Sequence, residues 1–297
     1  MLEKTTNYRV AKEAYARNEN IIQKLTSLGV DKSVCIEIAY EIQAGSYTSA
    51  FSESEFGSKR NKVLHDIIRR YSDLDDVANV GVFGVGEAAN WIGFDGVVKS
   101  FYGVELSYSR LRYARSNIAE LNGIQKSTLI KGDASEVIFN SNSFDLTMTL
   151  HSIEPNGNVQ GEKMLKNVIN YSSRYIILFE PDYSTAPAPM KSRMEANGYV
   201  CNIQDVIDSD SSVSMVDKFL LDIQENNDNL TTCWILKKNT FEDSVDHKLV
   251  CPYSNNTLVD FEGSKYSSDS GLIYPIIDDI LFINKQDAIF IGGNDLD

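Results

Sequence analysis

The chain predicts an α/β fold, doubly wound around a seven-stranded, mostly parallel sheet, with N-terminal helices before it and a small β-rich C-terminal domain after it. Three observations carry this. From Val77 onward, short apolar runs alternate with amphipathic stretches; a glycine turn, Gly84-Val85-Gly86, follows the first run; and an Asn/Asp-rich turn near residue 227 separates two β-like segments. Strictly alternating strand and helix units imply parallel strands joined by right-handed crossovers.

Taken in order, Thr5 to Ile42 places apolar residues at helical spacing (Val10, Ala14, Ile21, Ile22, Leu25), with a stop at Gly29 and a start at Asp31. Two helices therefore precede the main domain, and a third runs from about Ser58 to Tyr71. Between them Gln43-Ala44-Gly45-Ser46-Tyr47 is small and polar, a segment where a lid could hinge. Val77–Phe83, Ser100–Glu105, Ser127–Ile130, Phe144–Leu150 and Tyr175–Phe179 read as strands, with Glu87–Trp91, Ser109–Leu121 and Gly161–Tyr171 as the helices between them. Ala186–Asn197 continues as a helix, and Val213–Ile223 with Thr231–Lys237 as a closing antiparallel pair. After the polar linker Asn239 to Asp246 come Leu249-Val250-Cys251-Pro252, Thr257-Leu258-Val259 and Ile273–Ile283, the β segments of a small appendage. Gly292 to Asp297 should fray. The expected units are residues 1–72, 73–240 and 241–297.

The composition, 42% hydrophobic and 24% charged, is that of a globular protein with enough apolar material for a core. A formal charge of -14 repels polyanions, so nucleic acid is a disfavoured substrate. No stretch approaches the roughly 20 apolar residues of a membrane span, and Met1-Leu2-Glu3-Lys4 lacks the apolar core of a signal peptide, which points to the cytoplasm. Cys35, Cys201, Cys233 and Cys251 are scattered without a CxxC pair, so neither a disulfide framework nor a zinc ribbon is indicated.

The glycine turn lets a bound nucleoside approach the backbone, yet such a turn also serves dinucleotides or mere packing. Glu105, ending the second strand about 20 residues on, stands where doubly wound folds place a carboxylate for ribose hydroxyls, followed by Leu106; capping of the next helix is the alternative. Gly132-Asp133-Ala134 ends the third strand. Asp133 could accept the exocyclic amine of adenine while its backbone N–H faces a ring nitrogen, or it could close an Asx turn. No phosphate cradle accompanies these groups, which separates them from a dinucleotide site. His151 and Glu154 follow the fourth strand, at the carboxyl edge where ligands bind. An imidazole titrating near neutrality can take a proton from a hydroxyl or amine, and Glu154 could orient it or bind substrate; a loop-bracing pair is the bland reading. Glu180 and Asp182, after the fifth strand, are candidates for binding substrate, and Tyr47 for closing over a cationic centre.

Together these residues resemble the class I S-adenosylmethionine methyltransferases over about Val77 to Lys238, with Gly84-Val85-Gly86 as the nucleotide loop, Glu105 as the ribose acid and Asp133-Ala134 at the adenine. The resemblance implies that fold, S-adenosylmethionine as cofactor, and His151 beside the emerging methyl group. Phe144-Asp145-Leu146, His151 to Gly157 and Leu178-Phe179-Glu180-Pro181 look like a bacterial branch that modifies sugars and surface polysaccharides, which implies a small, sugar-like acceptor methylated on oxygen or nitrogen. The family usually has an acid two residues before the first glycine, where this chain has Val82. The tail, Leu249 to Pro252 and Gly271 to Ile280, looks like the small activator domain that partners tRNA and protein methyltransferases; of the four zinc ligands in full versions it keeps Cys251, so no structural metal is expected. A methyltransferase acting on RNA or protein, and a non-catalytic scaffold that lost the loop acid, stay as alternatives. The sequence leaves a homo-oligomer open.

Overall fold

A computed structural model describes residues 2–51, 54–72, 79–91, 98–119, 124–224, 226–240 and 248–292. Its centre is a sheet built from β1 (Asn79–Phe83), β2 (Val98–Glu105), β3 (Ile124–Lys131), β4 (Phe144–Leu150), β5 (Ser172–Glu180), β6 (Val213–Leu220) and β7 (Thr232–Lys238). β3, β2, β1, β4 and β5 run parallel side by side, and β7 then β6 close that edge antiparallel. The parallel strands are buried on both faces, as the unbroken burial of Phe144 to Thr149 shows, and so read as apolar runs rather than alternations.

The sheet differs from expectation at its other edge. It has nine strands, because the tail contributes β11 (Ile276–Ile277) and β12 (Ile280–Phe282), and β12 pairs in parallel with β3. Only β8 (Val259–Phe261), β9 (Ser264–Ser267), β10 (Leu272–Tyr274) and β13 (Ile289–Phe290) form a sheet of their own. An uncovered β3 would present free N–H and C=O groups, and Ile280, Leu281 and Ile283, all at most 4% exposed, bring apolar cover as well as pairing.

Ahead of the sheet lie α1 (Leu2–Ala16), α2 (Ile21–Thr26), α3 (Lys32–Gln43), α4 (Ser46–Phe51) and α5 (Glu55–Ser72). Where two helices are expected up to Ile42, there are three: Asn20 caps α2 by accepting Gln23 N–H, and Asp31 caps α3 by accepting Ser33 N–H and Oγ–H. Ala11, Ile21, Leu25, Cys35, Ile38 and Ala39 give α1 to α3 a core of their own. Among the described residues the remaining α-helices are α6 (Tyr108–Ala119), α7 (Gly157–Tyr171), α8 (Ala188–Ala196) and α9 (Ile203–Ser209), the last unforeseen. Val77, Ala78, the last two residues of the Ser109–Leu121 helix, most of the 239–246 linker and the final five residues lie outside the described part. No described helix is long and apolar enough to cross a membrane.

Candidate functional site

The expected helix over Glu87–Trp91 is absent: a turn leads only into a 3-10 stretch, Ala89–Trp91. Gly84 (φ 76°), Gly86 (φ 57°) and Ala88 (φ 55°) are all left-handed, and three such residues in five cannot start an α-helix. The turn is instead pinned from both sides. Gly84 and Val85 donate their N–H groups to Val104 O on β2, and the Glu87 carboxylate accepts Gly45 N–H from the segment joining α3 to α4 and Thr48 N–H and Oγ–H from the first turn of α4. That segment was read as a hinge; it is tied to the glycine turn.

The two glycines do different work. A Cβ on Gly84 would lie 2.0 Å from Ser152 Cβ, so this position is glycine for close approach to the loop after β4. A Cβ on Gly86 would meet nothing within 4 Å and would project into open space. Gly86 N–H donates to Glu105 (3.0 Å), whose other oxygen accepts Ser107 N–H (2.9 Å). Glu105 is 5% exposed, and burial raises its pKa against the lowering pull of Arg110 and these N–H groups. A carboxylate has roughly four lone-pair positions, so two donors leave room for ribose hydroxyls. Val82, where the family carries an acid, is buried among Val80 and Met148 and takes a purely apolar part.

Asp133 departs from expectation. Its Oδ1 accepts Ser135 N–H and Oγ–H, an Asx turn, and its own N–H donates to Asn284 Oδ1 (2.6 Å), so that N–H does not face a ring nitrogen. The tail thus reaches the edge where adenine is expected.

At the end of β4, His151 adopts φ 49° and donates its N–H to Phe179 O. Its Nδ1 lies 2.8 Å from Glu154 Oε2 and its Nε2 2.6 Å from Thr231 Oγ1. Glu154 is buried, which opposes its charge, but hydrogen bonds from His151 and Asn229 and the charges of His151 and Arg193 outweigh burial and hold the carboxyl below its usual range. An ionised Glu154 fixes Nδ1 as the protonated nitrogen and leaves the Nε2 lone pair toward Thr231. Glu180 and Asp182 do not join this group. Glu180, fully buried, accepts the N–H groups of Ser152 and Ile153 and shapes the loop; burial raises its pKa. Asp182 is engaged by Ser184, Thr185 and Lys218 away from the cavity.

One cavity of about 530 Å³ collects the rest. This lies within the roughly 300–1,000 Å³ of small-molecule sites. Gly84, Val85, Gly86, Glu105, Leu106, Asp133, Ala134, His151, Glu154 and Tyr47 all border it. Residues of the N-terminal helices, Tyr40 among them, form its roof, and Arg110, Arg193 and Asn229 line it too. These were not foreseen. Arg110 sits among other basic residues of α6, and Arg193 and Asn229 are brought to Glu154 across 39 and 75 residues of chain.

A family model described as a methyltransferase domain matches residues 79–162. Magnesium protoporphyrin IX methyltransferase from Synechocystis, crystallised with S-adenosylhomocysteine, superposes with a TM-score of 0.55 at 9% identity, over 70% of this chain and 100% of its own. The same enzyme with S-adenosylmethionine gives 0.52 at 10% identity, over 71% and 98%. None of the curated protein sequences matches significantly. Strand order and superposition give this chain the methyltransferase fold, and residues 79–162 of it match a methyltransferase domain. The open space at Gly86 and the buried acceptor Glu105 suit a nucleoside there.

Proposed function

We propose that this protein transfers a methyl group from S-adenosylmethionine to an oxygen or nitrogen of a small polar acceptor, a sugar or nucleotide sugar. The observation that carries the reading is the Glu154–His151 pair on the wall of the cavity that Gly86 and Glu105 also line, with Thr231 behind it as the partner of Nε2. The cofactor supplies a methyl already activated on a sulfonium. What the protein adds is alignment and a place for the proton. An acceptor hydroxyl or amine that replaces the Thr231 hydroxyl as the partner of Nε2, the threonine side chain turning aside, passes its proton to His151 as the methyl arrives, and Glu154 stabilises the imidazolium. Asn156, Asn226, Asn229 and Arg193, all on the cavity wall, offer the hydrogen bonds a polyhydroxylated acceptor needs.

Calorimetry with S-adenosylhomocysteine tests the cofactor half: binding is expected, and no detectable heat in the folded protein, with none regained in Val82→Asp, would sink it. For the acceptor half, His151→Ala should lower turnover on acceptor sugars by roughly 10²–10⁴. A loss within about twofold would remove the base from the mechanism.

A further inference from the structure

Arg110, on the first turn of α6, is 6% exposed and borders the cavity. Its Nε and Nη2 have no hydrogen-bond partner, and it makes no ion pair among the described residues. The guanidinium lies 3.8 Å from the centroid of Tyr40 and 5.1 Å from that of Tyr47, both in the roof. Glu105 is a nearby anion, but its oxygens face the N–H groups of Gly86 and Ser107. A desolvated guanidinium with idle donors is costly to a fold, and its fork matches two oxygens of an oxyanion.

We propose that Arg110 binds an oxyanion, carboxylate or phosphate, carried by the methyl acceptor. This deepens the methyl-transfer reading and rests on it. Arg110 lies against the roof tyrosines and near Glu105, and an oxyanion of the acceptor is told from the cofactor's own carboxylate by experiment. Tyr47 and Tyr199 line the same cavity, the Arg193 guanidinium lies 5.3 Å from the Tyr199 ring centroid and 3.4 Å from Glu154, and so the wall continues from Arg110 to the His151 group. An acidic acceptor would be held at one end by Arg110 and offered to His151 at the other.

The test uses the full-length protein saturated with S-adenosylhomocysteine. Inorganic phosphate, and glucose 6-phosphate and glucuronate each against glucose, are titrated into wild type, Arg110→Gln and Arg110→Lys, with folding checked by circular dichroism. Wild type should favour the acidic probes by on the order of tenfold or more, as expected for charge-assisted hydrogen bonds. Arg110→Gln should erase the preference while S-adenosylhomocysteine affinity stays within about twofold, and Arg110→Lys should keep part of it. Equal binding of acidic and neutral probes to wild type, or a preference that survives in Arg110→Gln, overturns the proposal. So does an Arg110→Gln that weakens S-adenosylhomocysteine but not 5′-methylthioadenosine, since the arginine would then serve the cofactor's carboxylate. If wild type fails to bind S-adenosylhomocysteine at all, it is the methyl-transfer reading that falls, and a preference for acidic probes in the unloaded protein would still be Arg110's.

Discussion

Gly84 and Gly86 share a left-handed backbone but answer to different neighbours, and alanine at each should separate stability from binding. Gly84→Ala drives a methyl into Ser152 and should cost roughly 3 kcal/mol or more, from overpacking and backbone strain together. Gly86→Ala keeps its space and should cost only about 1–2 kcal/mol, yet lose most affinity for S-adenosylhomocysteine. Thermal melts and calorimetry on the two variants check this. Glu105 supplies a pH signature. Its carboxyl ionises later than an ordinary glutamate because it is buried, so the charged acceptor is lost as pH falls through a raised pKa. Cofactor affinity should therefore decline on acidification before ordinary carboxylates titrate, and Glu105→Gln should flatten that decline while weakening binding at neutral pH. Glu154 moves the opposite way and stays charged throughout this range.

At the scale of elements, most strands were legible because apolar runs bounded by turns survive tertiary context. The 3-10 stretch after the glycine turn was not, because Ala88 gives no local sign that it will turn left-handed. Asp133 was legible as a strand end, with its Asx turn as one of two readings; the bond from its N–H to Asn284, far along the chain, was not. The tail held a further surprise. Cys251-x-x-Ser254 and Ser267-x-x-Ser270 have the spacing of two zinc knuckles with hydroxyls at three positions, and their side chains converge, with Ser270 Oγ 3.5 Å and Tyr274 Oη 3.2 Å from Cys251 Sγ. Burial opposes a thiolate there, but the hydroxyls of Ser267, Ser270, Tyr274 and Ser254 outweigh it and lower the thiol to about 6 from 9.0. A depressed acid stabilises the fold above its unfolded pKa and loses that contribution on the way down. Melting temperature should fall as pH drops from about 9 to about 6 by an amount that Cys251→Ser abolishes, as scanning calorimetry across that window would record.

Over the whole molecule, the doubly wound core and its polarity followed from the sequence, while the cavity did not. Its roof comes from helices whose own core reads like any small bundle, and it is fastened by groups that look like surface charges: Glu41 accepting Tyr108 N–H and Ser109 N–H, and Lys131 bridging Glu37 and Asp287 in near-complete burial. Distant pairings of this kind leave no periodicity to read. Lys131→Met should keep the fold and loosen roof and tail together, seen as faster amide exchange in α3 and β12 at unchanged exchange in β4. Residues 1–72 and 241–297 are on this view proposed as parts of one unit with the core rather than separate domains.

The pairing of β12 with β3 also sets a schedule. Residue 129 meets residue 280, so a chain emerging from the ribosome has made every other strand of the parallel core some hundred residues before it can finish that edge. Until then β3 is an open border and Asp133 lacks Asn284. The sheet edge and the Asp133 loop on the cavity wall are completed in the same late event, so a ribosome-bound chain should gain affinity for S-adenosylhomocysteine only after residue 284 has been made.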